Sequence, residues 1–178
     1  MILQRLFVIV LISLLFPSAS YGQELSPAPK PVEYTLPYPG LLPDNPLYFL
    51  RAIRDTVQSM LVSDPLKKAE YYLLQADKGI SASSVLFQKK ETTELAAATT
   101  NDALMYYDKS LEAVIAAKKL GQDTHGITNQ LVLANHKHRE VLAQLRGGVR
   151  EQELEAFTKT EEKARILGKK AKTLLPAK

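Results

Sequence analysis

The chain contains no cysteine among its 178 residues. It therefore cannot form disulfide bonds, carry a lipid on an N-terminal cysteine or use a thiol as a nucleophile, so the fold must be stabilised by packing alone. Glycine-rich phosphate loops, His-Glu-x-x-His motifs and Glu-x-x-His pairs are missing as well, and these are the usual signatures of nucleotide and metal sites. A triad assembled from scattered serines is left open by sequence alone. We expect a protein that is not an enzyme and needs no cofactor.

The N-terminal residues have the pattern of a secretory signal. An unbroken apolar run over residues 6–16 follows the positive charge of Arg5, and small residues follow the run. This pattern predicts a signal peptide over residues 1–22, cleaved between Gly22 and Gln23. The alternative is an uncleaved anchor, although this run is shorter than the ~17–20 residues that span a bilayer. We expect a secreted or extracytoplasmic protein, in the periplasm or at the cell surface, with no membrane span after signal removal.

Residues 23–45 are predicted to be a proline-rich extended leader. Seven of the ten prolines lie between Pro27 and Pro46, a density that excludes helix and favours polyproline-like chain. The second part of the leader, residues 33–43, carries Tyr34 and other large apolar residues. We expect that part to lie against the helical domain.

Residues 46–175 are predicted to be a helical bundle domain. Two helix starts share one design, Asn45-Pro46 and Asp64-Pro65, in which a side-chain acceptor precedes a proline of the first turn. Apolar residues then recur at steps of three and four, as in coiled coils and bundles. In the first helix, near 46–62, these are Leu47, Leu50, Ile53, Val57 and Leu61; in the second they are Leu66, Ala69, Leu73, Ala76, Ile80, Ser83 and Phe87.

Three further helices are expected after a break in the polar run around residues 91–94. Gly121 and the pair Gly147-Gly148 end two of them, since glycine accepts the left-handed backbone of a C-terminal cap. Asp123 or Thr124 is the expected cap of the fourth helix, and Leu154 begins the inner stripe of the last. Short connections favour antiparallel neighbours. The fold class is all-α, an antiparallel helical bundle of one short and about four longer helices.

The histidines are the main candidates for chemistry. His136 and Glu140 share a helix face at i,i+4 and are weak candidates for a zinc or copper site, although solvent exposure explains them better. His138 lies in an inward stripe and is expected to be partly buried with a hydrogen-bond partner. His125 would matter only in a pocket with a carboxylate and a hydroxyl. In each of the tyrosine pairs 71–72 and 106–107, we expect one core and one boundary residue.

The distribution of charged residues gives little indication of a binding partner. The basic excess gathers at Lys163, Arg165, Lys169, Lys170, Lys172 and Lys178. These side chains could meet anionic lipid or acidic envelope polymer, but a solvated helix face explains them more simply. Nucleic acid is disfavoured because basic and aromatic residues are not interleaved. Oligomeric state cannot be read from the sequence.

The front of the domain resembles a known bacterial family. The matching residues are Pro43, Asp44, Pro46, Leu47, Tyr48, Asp64, Pro65, Lys67, Lys68, Ala69 and Glu70. On the basis of these residues, the chain from 38 to 170 resembles domain of unknown function 5667. The resemblance is strong in the N-terminal part of this range, and the later helices match in pattern only. The resemblance implies an all-helical extracytoplasmic domain and supplies no catalytic residues. We expect an exported, non-enzymatic domain that binds a protein or a cell-envelope component; the alternative is a periplasmic-type chaperone or a metal-binding helical protein.

Overall fold

The computed structural model describes residues 32–89 and 92–175. These residues form five helices: α1 Tyr48–Leu61, α2 Pro65–Gln88, α3 Thr93–Lys119, α4 His125–Gly147 and α5 Glu151–Thr173. No strand occurs within the two described ranges, and the predicted class of one short and four longer helices is confirmed. The predicted signal peptide, its Gly22–Gln23 cleavage point and the first part of the leader lie outside the described residues.

Side-chain oxygens near the predicted helix starts accept hydrogen bonds from backbone amides. Asp64 Oδ1 accepts a hydrogen bond from the Lys67 amide at 2.9 Å, and Asn45 Oδ1 accepts from the Leu47 amide at 2.9 Å. Asp123 does the same for the His125 amide. Each bond satisfies an amide that has no partner within its helix. The predicted cap is therefore confirmed at Asp64, where Pro65 opens the helix. The N-cap residues of α1 and α4 are Leu47 and Thr124, which make no side-chain cap bond, and Pro46 lies before α1 rather than in its first turn.

Helices α2 to α5 pack as a four-helix bundle. Around the bundle the order is α2, α3, α5, α4, because α2 packs on α3 and α4 while α5 packs on the same two helices. Consecutive helices run antiparallel, as expected, but α3 and α4 lie across the diagonal and are not close neighbours. Gly121 permits the link between them with a φ of 75°, a left-handed conformation that favours glycine.

The core is formed by the predicted seam of α2 and by its counterparts on the other helices. Its largest fully buried side chains include Tyr107, Phe157, Ile80, Leu86, Leu104, Leu111, Leu131 and Leu142. Gly79 lets α2 approach α3, since a Cβ there would lie 2.7 Å from Ala103 Cβ.

Two details differ from the expectations. Leu154 lies near the start of α5 and is exposed, so the inner stripe of that helix begins at Phe157 instead. The pair Tyr106 and Tyr107 divides into boundary and core as predicted, whereas Tyr71 and Tyr72 are both half-buried. Tyr71 contacts α1 through its hydroxyl, whereas the Tyr72 ring lies against Tyr106 of α3. Helix α1 is not part of the four-helix core.

Candidate functional site

Helix α1 presents its apolar side to solvent and its charged side to the bundle. Its buried residues are Arg51 and Asp55. The large apolar residues lie on the opposite side and are half exposed or more: Phe49, Leu50, Ile53, Val57, Met60 and Leu61. These six residues are called the apolar face of α1 below. The face extends towards Leu47, which precedes the helix and is also exposed.

Specific hydrogen bonds hold the charged side of α1 inward. The Arg51 guanidinium donates to the backbone carbonyls of Pro39 and Leu41, the second at 2.7 Å. Its Nε also lies 3.5 Å from the Asp55 carboxylate. From the bundle side, the Tyr71 hydroxyl donates to the Asp55 carbonyl at 2.8 Å. Rotating α1 to bury its apolar face would break these bonds and leave several polar groups to be satisfied again.

Burial and the nearby Asp55 charge raise the pKa of the Tyr71 hydroxyl to about 12. The group therefore stays neutral and remains a donor at any physiological pH. A neutral donor beneath α1 is consistent with a fixed contact rather than with a proton-transfer role.

A cavity of about 340 Å³ remains between α1 and the bundle. Its wall includes Tyr48, Arg51, Asp55, Asp102 and Tyr106. The guanidinium is already engaged by two carbonyls and a carboxylate, so it is not free to bind an anion. The large apolar residues of α1 do not line this cavity.

A second set of hydrogen-bonded polar side chains lies within the bundle itself. His138 Nε2 lies 2.6 Å from Asp77 Oδ1, and the Tyr34 hydroxyl donates to Asp77 Oδ2 at 2.6 Å. The Tyr107 ring meets the His138 ring edge-on, with centroids 5.6 Å apart. The expected hydrogen-bond partner of His138 is confirmed, but the side chain is fully rather than partly buried. Because the His138 ring has no solvent access, this arrangement suits a structural contact better than catalysis.

The second part of the leader lies on the bundle only in part. Tyr34 and Leu36 pack against the core clusters, and the Val32 amide donates to the Glu140 carboxylate at 3.0 Å. Tyr38, in contrast, is 83% exposed. The expected docking therefore holds for residues 32–36 and for the carbonyls that Arg51 binds.

The two weak metal candidates, His136 and Glu140, have different surroundings. His136 is exposed, and the Glu140 carboxylate is engaged by the Val32 amide and by Lys137 Nζ at 2.7 Å. Partial burial, Lys172 and Arg139 lower the pKa of the His136 imidazole. Among the described residues, no group of three or more His, Cys, Asp or Glu side chains could hold a metal ion. His125 is exposed at the start of α4, where its ring meets Asn129.

Two of the basic residues that gather near the C-terminus form ion pairs, and a third donates to a neutral side-chain amide. Lys170 contacts Asp108, Arg165 contacts Glu162, and Lys163 donates to Asn101. Such exposed pairs are worth little in stability. They do leave less unpaired positive charge for an anionic partner than the sequence suggested.

Comparison with known families settles the relationship of the chain. The family model described as Domain of unknown function (DUF5667) matches residues 40–152. The chain belongs to this family. It matches no curated protein and no solved structure.

Helix α1 lies within the range that matches the DUF5667 family. The match begins at Gly40, next to the carbonyls that hold Arg51, and includes α1 to α4 and the first residues of α5. Most of α5 lies beyond the match, yet Phe157, Ala164 and Leu167 of that helix are buried. The bundle in this chain therefore needs residues beyond the matched range. No helix within the described ranges is long and apolar enough to cross a membrane.

Proposed function

We propose that this DUF5667 domain is an exported, non-enzymatic module that binds a protein partner through the apolar face of α1. The observation that carries the proposal is the orientation of α1, with Arg51 and Asp55 inside and six large apolar side chains outside. Large contiguous apolar patches are rare on soluble monomers and mark interaction sites.

The free energy of burying apolar surface supports a binding partner for the apolar face of α1. Removing apolar surface from water yields about 25 cal/mol per Å². An amphipathic helix next to a core would normally take that stabilisation by turning its apolar side inward. In this chain the Arg51 and Tyr71 hydrogen bonds favour the opposite orientation. That arrangement keeps the apolar face available for another chain.

Export is supported by the N-terminal pattern. The apolar run at residues 6–16 is followed by small residues around Gly22, as in cleaved secretory signals. Cell fractionation with N-terminal sequencing tests this part. We expect an extracytoplasmic protein that begins at Gln23, and an intact N-terminus in the cytoplasm would contradict export.

Photo-crosslinking in the native cell tests the binding surface. A benzophenone amino acid would replace Phe49 in one variant and Ile166 in a control; these residues are 56% and 54% exposed. We expect a discrete protein adduct from position 49 and none from position 166. No adduct from position 49, or the same adducts from both positions, would overturn the proposal.

The chaperone alternative uses the same surface, since exposed apolar side chains can also hold unfolded chains. It predicts that the protein suppresses aggregation of unrelated unfolded proteins and that Ile53→Glu abolishes this activity. A single discrete adduct at position 49, without such suppression, favours the binding module.

A further inference from the structure

The size of the apolar face bears on what covers it. Together with Leu47, its residues expose on the order of 700 Å², close to the ~800 Å² that each partner contributes to a standard protein interface. A contact between two copies that covered the whole face would therefore reach about the size of a standard interface. A smaller ligand would leave much of the face in water.

The spacing of the face suits a helix as its partner. Leu50, Ile53, Val57 and Met60 follow one another at steps of three, four and three, which is the seam spacing of paired helices. Such a seam accepts side chains from a facing helix between its own. Helix α1 has this spacing itself, so it is complementary to another copy of α1.

The charges beside the face favour a second copy over a membrane. Arg54 is the charged residue at its border, and its guanidinium lies 2.7 Å from the Asp55 carboxylate. The other border positions, Thr56 and Gln58, are neutral. Helices that lie on membranes usually carry unpaired Lys and Arg around the apolar side. Two copies of this face, in contrast, would meet without like-charge repulsion.

From these observations we infer that the occupant of the apolar face is α1 of a second copy, in a twofold-symmetric dimer. The inference rests on the proposed binding function and names its partner. Arg51 and Asp55 stay on the bundle side of each copy, so the dimer forms without changing the monomer fold.

Sedimentation equilibrium of the protein as cells produce it tests the inference. Two variants are compared, Ile53→Glu and Ile166→Glu; both isoleucines lie in helices and are 57% and 54% exposed. We expect the wild type and Ile166→Glu to be dimeric near 100 μM, and Ile53→Glu to raise the dissociation constant by at least ~100-fold. Circular dichroism should show the same helicity in all three proteins.

Disulfide crosslinking provides a second readout because the chain has no cysteine of its own. Val57→Cys should give a disulfide-linked dimer on mild oxidation, whereas Gln144→Cys, on an exposed part of α4, should not. Equal crosslinking of both variants would contradict a dimer through α1.

The outcomes separate this inference from the proposed function. A monomeric wild type near 100 μM, or an Ile53→Glu variant that remains dimeric, overturns the second-copy inference. A monomer that floats with anionic vesicles overturns it in favour of a membrane. If the chain is monomeric but position 49 still crosslinks to one different protein in cells, only this inference fails. If position 49 yields no adduct, both fail.

Discussion

Helices α1 and α2 have the same kind of apolar spacing and the opposite burial. In α2 the repeat places Ile80 in the core with 1% of its surface exposed, while in α1 the repeat leaves Ile53 57% exposed. The difference comes from the other side of each helix. The opposite side of α1 carries Arg51 and Asp55, whose bonds to the leader and to Tyr71 hold it inward. Spacing thus predicts a contact surface but not the chain that covers it.

The largest expected effect is the difference in stability loss when an isoleucine is truncated in each of the two helices. Ile80→Ala should lower the free energy of unfolding by about 2–5 kcal/mol because it leaves a cavity in the core. In the monomer, Ile53→Ala should change it by less than about 0.5 kcal/mol because the side chain is largely in water. Urea titration followed by circular dichroism, in dilute protein, measures both. Similar losses in the two variants would mean that α1 buries its apolar face within its own chain.

Substitution of the two arginines of α1 tests which contacts hold the polar side of that helix against the rest of the protein. Arg51→Ala should cost about 1–3 kcal/mol, since it removes bonds to two carbonyls and leaves Asp55 with one cationic neighbour fewer. Hydrogen exchange should accelerate in α1 and in residues 39–41, while α2 to α5 stay protected.

Arg54→Ala is the matched control for that experiment. The Arg54 side chain is 57% exposed, and such pairs contribute less than about 1 kcal/mol. Its exchange pattern should match that of the wild type. Equal acceleration in both variants would show that net charge, rather than the buried contacts of Arg51, holds α1 in place.

The smallest expected effect concerns the leader, and it depends on pH. Burial, followed by the hydrogen bond to Asp77 and the charge of that carboxylate, holds the pKa of Tyr34 well above its usual value. The folded state therefore favours the neutral hydroxyl. The stabilisation that this preference provides is fully present below ~10, the pKa of Tyr34 in the unfolded chain. It is lost as pH rises above that value.

Tyr34→Phe should accordingly cost about 0.5–1.5 kcal/mol at neutral pH. It should also make the decline in stability above pH ~10 less steep than in the wild type. Tyr38→Phe is the control in the same segment, because that side chain is 83% exposed. Urea unfolding at several pH values measures all three proteins, and an unchanged slope in Tyr34→Phe would contradict the contact with Asp77.

Local signals in the sequence predicted much of the fold. Asp64-Pro65 marks the start of α2 because a cap depends on residues three positions apart. Asn45-Pro46 lies just before the start of α1 but does not cap it. The seam of α2 predicted the burial of Leu73 and Ile80 for the same local reason. The diagonal position of α3 and α4 was not predicted, because a short link is expected to join adjacent helices.

Features of the candidate site depend on residues far apart in the chain. His138 was predicted to be partly buried with a partner; it is fully buried, and its partner, Asp77, is 61 residues away. The outward orientation of α1 was missed because an apolar stripe next to a bundle is expected to face it. The available signal was Arg51 and Asp55 at i,i+4 on one side of α1, opposite the stripe, with a proline-rich segment beforehand that supplies free carbonyls.

Thiol labelling at position 53 tests the central claim, an outward apolar face covered by a second copy, most directly. The chain has no cysteine, so a maleimide would react only at the introduced thiol in Ile53→Cys, with Ile166→Cys as the reference. The account predicts that Cys at 53 reacts as fast as Cys at 166 in dilute protein and progressively more slowly as the protein concentration rises. Slow labelling at position 53 at every concentration would contradict it, because the face would then be buried within its own chain.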